Sequence, residues 1–228
     1  QELTQRFDKD NWYVGEWVRD GELPQISWDV CICAIGVLNP IGKFFDLDSD
    51  EWEDNVDSNS LLPLRLLRGI WKNRRRNATV IFFSGAGLGR SAVTYSGYSA
   101  SKFMLLKMTE LLDDENPDTK FVIVGPGMVR TKIQNQTLAA GKKAANYERV
   151  WKFMTDKDEL HGEGTSHDKI YECIRWIMSQ PKEVVGGRNF YVPTDKWGET
   201  LANALRVDKS IYKISHRNGD GFSFESDG

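Results

Sequence analysis

Two side chains in the stretch GYSASKFM, residues 97–104, are of types that together can move a proton. Tyr98 is followed four positions later by Lys102, so in a helix both would project from one face. A lysine ammonium beside a phenol favours the phenolate and lowers a pKa that starts at about 10. The spacing therefore predicts a general acid or base. The alternative is two polar residues on the outside of a helix.

A third polar group is predicted to lie close to this pair. Ser84 follows the apolar run VIFF and precedes GAG, as at the end of a buried strand. Ligands of open α/β sheets bind beyond the carboxyl ends of the strands, so we expect Ser84, Tyr98 and Lys102 to converge in one crevice. Such a trio could polarise a carbonyl, supply a proton and hold a sugar hydroxyl. Alternatively, Ser84 only ends a strand or caps a turn.

The elements that must position these groups are predicted from apolar patterning. Runs that lack polar alternation indicate strands buried on both faces. The strands are expected at 28–36, 78–85, 120–127 and 186–193. The helices are expected at 51–74, 98–115, 147–160 and 168–179. Alternating strands and helices predict an α/β fold, a Rossmann-like doubly wound parallel sheet with helices on both faces.

The 228 residues are predicted to form a single domain over 1–206, followed by an arm at 207–228. A net charge of −3 gives no general case for nucleic-acid binding, and no apolar stretch has the length of a membrane span. The basic run KNRRRN, residues 72–77, is interpreted as a cationic helix end, with phosphate binding as the alternative. An odd number of cysteines without a CxxC motif indicates a reducing, cytoplasmic location.

The acidic stretch DLDSDEWEDNVD, residues 46–57, has the initial spacing of a calcium loop but departs from it later. Its sixth position is Glu51, where an EF-hand requires glycine, and its twelfth is Asp57 instead of glutamate. We expect an acidic helix start capped by Asp48. No metal site is predicted, because the histidines are scattered, at His161, His167 and His216.

At five places in series the chain resembles the short-chain dehydrogenase/reductase family. YSASK is similar to the family's YxxxK element, and FFSGAG to its serine-bearing strand end. CAIG lies where the family usually has NNAG. NVDSNSLLPLRLL resembles the asparagine-bearing helix, and VGPGMVRT the PG turn with its following threonine. The resemblance runs in the family's order from Trp28 to Thr131 and continues loosely to GGRNFYV.

This resemblance implies a role for each matching residue. Tyr98 would be the general acid/base and would also contact the cofactor, and Lys102 would lower the pKa of Tyr98 and bind the nicotinamide ribose. Ser84 would orient the substrate carbonyl or alcohol, and Asn59 would help to hold a water in a proton relay. The implied cofactor is NAD or NADP. Its adenosine side would be flanked by Ala34 and Gly36, and its nicotinamide bordered by Pro126, Gly127, Val129 and Thr131.

Pro63 supports the assignment of Asn59 on physical grounds. A proline inside a helix donates no hydrogen bond and displaces the carbonyl four residues earlier, which here is that of Asn59. We expect a kink at this point and a carbonyl free to accept from a water. The alternative is that Pro63 only bends the helix around the core. Gly127 is expected to provide a close backbone approach or a positive φ.

The resemblance implies an NAD(P)-dependent oxidoreductase that interconverts a secondary alcohol and a ketone. FFSGAG and GGRNFYVPTDKW look similar to family members of bacterial polysaccharide pathways, which suggests a sugar-like substrate. The alternatives are a non-catalytic binding or scaffold relative and a nucleotide-sugar epimerase or dehydratase. The family also implies a homodimer or homotetramer formed through helices at 60–71 and 98–115. A helix apolar on two sides could equally be buried inside a monomer.

The resemblance does not extend to the N-terminal end. The family begins with a strand and a TGxxxGxG turn that binds the pyrophosphate. Nothing before Trp28 resembles either, so the first βαβ unit, and with it the residue that separates NAD from NADP, is not evident. A substrate loop is expected at 132–163, because the stretch is polar and lysine-rich. Its aromatic residues could line a pocket or close it: Tyr147, Trp151 and Phe153.

Overall fold

A parallel sheet of four strands, in the order β1-β2-β3-β4, forms the centre of the molecule. The computed structural model describes residues 26–85, 91–156 and 164–214. The strands are β1 (Trp28–Cys33), β2 (Arg74–Phe83), β3 (Thr119–Gly125) and β4 (Arg188–Tyr191). The predicted Rossmann-like parallel sheet is confirmed. Residues 1–25, where no glycine-rich turn was found, lie outside the described residues.

Burial on both faces explains why the strands lack polar alternation. Every residue of β3 is buried, and so is the stretch 78–82 of β2. Because all four strands run in one direction, their carboxyl ends meet at one edge of the sheet. Phe83 pairs with Val124 there, and Gly125 with Tyr191. The predicted site residues follow these strand ends.

Helices cover both faces of the sheet. They are α1 (Ser49–Val56), α2 (Leu62–Ile70), α3 (Ser96–Glu115), α4 (Lys132–Ala140), α5 (Tyr147–Thr155), α6 (His167–Ser179), α7 (Lys182–Val185) and α8 (Glu199–Val207). Phe82 packs in a cluster with Leu105 of α3, whereas Ile81 packs in a cluster with Ile174 of α6. Since neighbouring strand residues point to opposite faces, these clusters lie on opposite sides of the sheet. In the described parts of the chain, no helix combines the length and apolar character needed to cross a bilayer.

The start of α1 and the break after it follow the sequence closely. The Asp48 carboxylate accepts from the backbone N–H of Glu51 at 3.0 Å, which confirms the acidic helix start. A π-helical turn, Asp57–Leu61, then separates α1 from α2 directly before Pro63. The helix is therefore irregular at Asn59 in the form of a widened turn, and the kink expected there stays a prediction.

The basic run at 72–77 does not end a helix, so that prediction is wrong for its arginines. Helical structure ends in a short 3₁₀ turn, Trp71–Asn73, and Arg74 is the first residue of β2. The Arg74 guanidinium lies 3.9 Å from the centre of the Trp71 ring and 3.4 Å from the Asp118 carboxylate. An aromatic face and a carboxylate thus hold this arginine at the beginning of an extended strand.

The expected substrate loop and the predicted arm both contain ordered structure, and in the first of them α5 is the helix predicted at 147–160. The expected substrate loop at 132–163 contains α4 and α5, whose inner sides bury Thr137, Val150 and Phe153. Its residues 157–163 lie outside the described residues. The first part of the predicted arm packs against β4, where the Tyr212 ring lies 5.4 Å from Phe190. Residues 215–228 also lie outside the described part.

Candidate active site

Lys102 is buried at the carboxyl edge of the sheet. Its side chain is on α3, it is 2% exposed, and its Nζ donates to the carbonyl of Ile35 at 2.8 Å. Ile35 follows the end of β1, so this bond joins α3 to the loop after that strand. Burial lowers the pKa of Lys102 to about 8, and the Cys33 thiol opposes this shift. Lys102 therefore points into the fold and not along an exposed helix face.

Tyr98 lies one turn before Lys102, with its ring centre 5.7 Å from the ammonium. Its hydroxyl lies beside the backbone of Gly85, where a side chain would overlap it. Burial raises the pKa of Tyr98 to about 12. The predicted lowering of this pKa by Lys102 is therefore wrong. Desolvation dominates, because the ammonium is directed at the Ile35 carbonyl.

Ser84 lies at the end of β2, next to Gly85, but its hydroxyl is directed at β4. It is 4% exposed and donates to Asn189 Oδ1 at 3.2 Å. A Cβ at Gly125 would come within 2.9 Å of Ser84 Oγ, so glycine in β3 gives the serine room. The structure thus brings Gly85, and not the Ser84 hydroxyl, against Tyr98. A direct contact between Ser84 and the substrate stays a prediction.

Asn59 is fully buried in the π turn and holds the loop after β1. Its Oδ1 accepts from the N–H of Val37 at 2.9 Å, and its Nδ2 donates to the Val37 carbonyl at 2.8 Å. Asn55, one turn earlier, donates to the carbonyls of Val37 and Asn39 at 3.1 and 2.5 Å. The two amides together fix the backbone that leads from β1 into the site. Whether the Asn59 carbonyl binds a water stays a prediction.

Gly36 lies between Asn59 and Lys102. A Cβ at this position would stand 3.9 Å from Asn59 Oδ1 and 4.0 Å from Lys102 Nζ. Ala34, the other residue assigned to the adenosine side, is exposed just past β1. The structure therefore places Gly36 beside the predicted proton-handling groups, and Ile133 Cδ1 lies 3.3 Å from where its Cβ would be.

The turn after β3 approaches the same edge. Gly127 has a φ of +76°, and a Cβ there would come within 2.5 Å of Pro193 Cγ. Both the positive φ and the close approach predicted for Gly127 are confirmed. Pro126 directly precedes Gly127, Val129 is buried, and Thr131 occupies the position before α4. The residues assigned to the nicotinamide thus form one continuous turn.

The residues present fit the nicotinamide half of a dinucleotide cofactor. Lys102 is a buried cation suited to ribose hydroxyls, and Gly36 lies beside its ammonium. Both features lie where the parallel strands end. The turn that binds the pyrophosphate in the family is not evident in this sequence, so no described residue is assigned to the pyrophosphate. Within the described ranges, no three His, Cys, Asp or Glu side chains group as metal ligands would.

Sequence reasoning did not identify three residues that organise this edge. Asn189 was overlooked although an amide within the apolar strand NFYV is a detectable signal. Asn55 was overlooked although it repeats Asn59 one helical turn earlier. Tyr95, which is 5% exposed and begins α3, carries no local signal, because its partners are distant in the sequence.

Comparisons with known proteins point to one family. The sequence matches a family model described as short chain dehydrogenase over residues 27–141. An uncharacterized oxidoreductase of Schizosaccharomyces pombe is 31% identical over 107 residues, which are 46% of this chain and 43% of that protein. An uncharacterized oxidoreductase of Saccharomyces cerevisiae is 21% identical over 174 residues, which are 70% of this chain and 68% of that protein. The chain therefore spans less than half of the first relative's length.

A solved structure supports the same conclusion for the fold. A short chain dehydrogenase/reductase from Saccharomyces cerevisiae superposes with a TM-score of 0.62 at 21% identity. The superposition covers 78% of this chain and 69% of that one. The likeness establishes a common arrangement of strands and helices.

Proposed function

The chain belongs to the short-chain dehydrogenase family, whose members are NAD(P)-dependent oxidoreductases, and on this premise we propose that it interconverts a secondary alcohol and a ketone. The observation that carries the proposal is the pairing of a half-buried Tyr98 with a buried Lys102 at the carboxyl edge of the sheet. Tyr98 is the proposed general acid/base, and Lys102 the proposed partner of the nicotinamide ribose. Asn59 is proposed to hold a relay water.

The proposed proton transfer uses the ionisation states that the fold favours. NAD or NADP, when bound, would donate or accept a hydride at the substrate carbon. Tyr98, with a pKa of about 12, is a neutral phenol near pH 7 and can donate its proton to a carbonyl oxygen. Below about pH 8 the Lys102 ammonium would stabilise the phenolate that remains and bind ribose hydroxyls.

Ser84 is proposed to act by positioning. Its bond to Asn189 fastens the end of β2 to β4, and this end carries Gly85 next to the Tyr98 hydroxyl. Because Gly85 has no side chain, the Tyr98 ring and hydroxyl can lie against this backbone. The proposed substrate is a polar, sugar-like alcohol or ketone, on the sequence resemblance of FFSGAG and the β4 region.

A homodimer or homotetramer is the proposed assembly. Phe103 and Leu111 are two turns apart on α3, and they are 48% and 42% exposed. An association of α2 and α3 with a second copy would cover these side chains. Measurement of the mass in solution by light scattering tests this proposal, and a monomer at micromolar concentration would contradict it.

The function is tested with the full-length protein and both reduced cofactors. Nicotinamide fluorescence would report binding, and loss of absorbance with a panel of cyclic ketones and ketoses would report turnover. We expect NADH or NADPH to bind, and we expect the bound cofactor to be oxidised when at least one ketone of the panel is present. Binding without turnover across the panel would favour a non-catalytic relative, and absence of binding would contradict the proposal.

A further inference from the structure

The segment 132–155, named here the cover segment, consists of α4, a short turn and α5 and lies against the candidate site. Ile133 at its start approaches Gly36, where a Cβ would stand 3.3 Å from Ile133 Cδ1. Gln136 Oε1 accepts from the backbone N–H groups of Leu38 and Asn39 at 2.6 and 3.1 Å. The cover segment is thus fastened to the loop after β1.

A single hydroxyl joins both helices of the cover segment to the beginning of α3. Tyr95, three residues before Tyr98, donates to Asn146 Oδ1, which directly precedes α5. The hydroxyls of Tyr95 and Thr137 of α4 lie 3.0 Å apart. Because a phenol has one proton, Thr137 is the donor in this second bond. The Tyr95 hydroxyl therefore accepts from Thr137 of α4 and donates to Asn146, the residue directly before α5.

Thr94 strengthens the same junction from the backbone. Its φ is +73°, a left-handed conformation that a β-branched residue adopts only when its surroundings impose it. Its Oγ1 accepts from the N–H of Ala145 at 3.0 Å, and its carbonyl accepts from the N–H of Gly42 at 2.9 Å. The strained residue is thus held between the cover segment and the loop after β1.

Tyr98 belongs to the same packed unit. Leu38, Ile41, Tyr95 and Ala144 form a buried apolar cluster, against which the rings of Tyr98 and Tyr147 and the side chain of Ile133 pack. A shift of the cover segment would therefore open space beside Tyr98. The Lys102 bond to Ile35 lies outside this cluster and would remain.

Building on the proposed function, we propose that Tyr95 is a positioning residue whose hydroxyl fixes the cover segment beside Tyr98 and so limits the size of the substrate admitted. Loss of the hydroxyl leaves Asn146 and Thr137 without this partner, while Tyr98 and Lys102 keep their places. The KM for the substrate should rise, and the KM for bulky ketones should become closer to the KM for small ketones. The proton transfer itself should change little.

The test compares Tyr95→Phe with Ser179→Ala, which removes an exposed hydroxyl at the end of α6 that bonds to Trp176 on its own helix. In the full-length protein, Tyr95→Phe should raise the KM of the best ketone of the panel about tenfold and leave kcat within about threefold. The KM ratio of 4-tert-butylcyclohexanone to cyclohexanone should fall. Trypsin should cleave about tenfold faster after the exposed Lys142 and Lys143 of the cover segment. Ser179→Ala should alter none of these values.

Proteolysis separates this inference from the proposed function, since it needs no turnover. Wild-type rates of cleavage and an unchanged KM in Tyr95→Phe would overturn the inference. A fall in kcat with unchanged KM would also overturn it, because Tyr95 would then act in the chemistry. If Tyr95→Phe does not fold, Thr137→Val removes one of the two bonds and should produce the same changes in smaller measure.

Discussion

At the residue scale, the candidate site depends on how burial changes two ionisable groups. Burial raises the pKa of Tyr98 to about 12 and lowers that of Lys102 to about 8. Each shift favours the neutral form of its group. Near pH 7 the pair is nevertheless a neutral phenol beside an ammonium, which is the combination needed to protonate a carbonyl.

The pH dependence of ketone reduction should follow the ionisation of the Lys102 side chain. Its pKa is lowered, so its charge is present below about pH 8 and lost above it. The kcat/KM for the reduced cofactor should be level from about pH 6 to 7.5 and fall with a slope of one proton above about pH 8. Circular dichroism at each pH controls for unfolding. A level profile up to about pH 10 would contradict a role for the ammonium.

A pair of alanine variants distinguishes the two roles considered for Ser84. Gly85→Ala would force Tyr98 to move, so we expect turnover to fall about 100-fold or more. Ser84→Ala removes the bond to Asn189 and should lower turnover by about tenfold at most. Steady-state kinetics at saturating cofactor measure both. If Ser84→Ala is the more damaging variant, the serine contacts the substrate directly.

Part of the site could be predicted from local sequence, and part could not. The common helical face of Tyr98 and Lys102 and the irregular turn that Pro63 marks at Asn59 could be predicted. Both relations involve residues that are close in the sequence. The direction of the Tyr98 pKa shift was wrong, because desolvation depends on the packing of distant segments. The bond from Ser84 to Asn189 spans the sheet and could not be predicted from spacing.

At the element scale, the absence of a side chain at Gly125 in β3 lets side chains from the ends of the two neighbouring strands, β2 and β4, lie close to β3. A Cβ at Gly125 would lie 2.9 Å from both Ser84 Oγ and Tyr191 Cδ2. Gly125→Ala should therefore lower the free energy of unfolding by about 2 kcal/mol. As a control, Gly69→Ala lies on the exposed side of α2 and should raise stability by about 0.5–1 kcal/mol. Urea unfolding measures both, and equal effects would contradict the close packing at β3.

Apolar runs located the strands because both faces of the sheet are buried. The search for apolar runs did not place Arg74 in a strand, because this residue is charged. Its contact with the Trp71 ring, which accommodates the charge in β2, is not visible in an apolar pattern. The search also failed at α4, whose polar sequence buries Thr137 through a bond to Tyr95. Elements held by polar contacts therefore escape a prediction based on hydrophobic periodicity.

At the scale of the whole molecule, Arg188 connects the sheet to the end of the described chain. It is 1% exposed, and its guanidinium donates to the carbonyls of Leu205 and Asp208 at 2.9 and 3.2 Å and to that of Ile211. Arg188 is thus a buried cation that donates to three backbone carbonyls, which belong to α8 and to the segment after it.

Arg188→Met should destabilise the whole fold, because it leaves those carbonyls without donors. We expect a loss of about 3 kcal/mol in the free energy of unfolding, measured in urea by circular dichroism. Arg206→Met is the matched control, since Arg206 is exposed and bonded to Asn203 on its own helix. Equal stability of the two variants would mean that the end of the chain is not anchored through Arg188.

The measurement that tests the central claim most directly is turnover of Tyr98→Phe, with cofactor binding measured in the same samples. This substitution removes the phenol oxygen and retains the half-buried ring. Nicotinamide fluorescence should give a Kd within about threefold of wild type, while kcat should fall by about 1,000-fold or more. A kcat within about tenfold of wild type, with the fold intact, would contradict the assignment of Tyr98 as the proton donor.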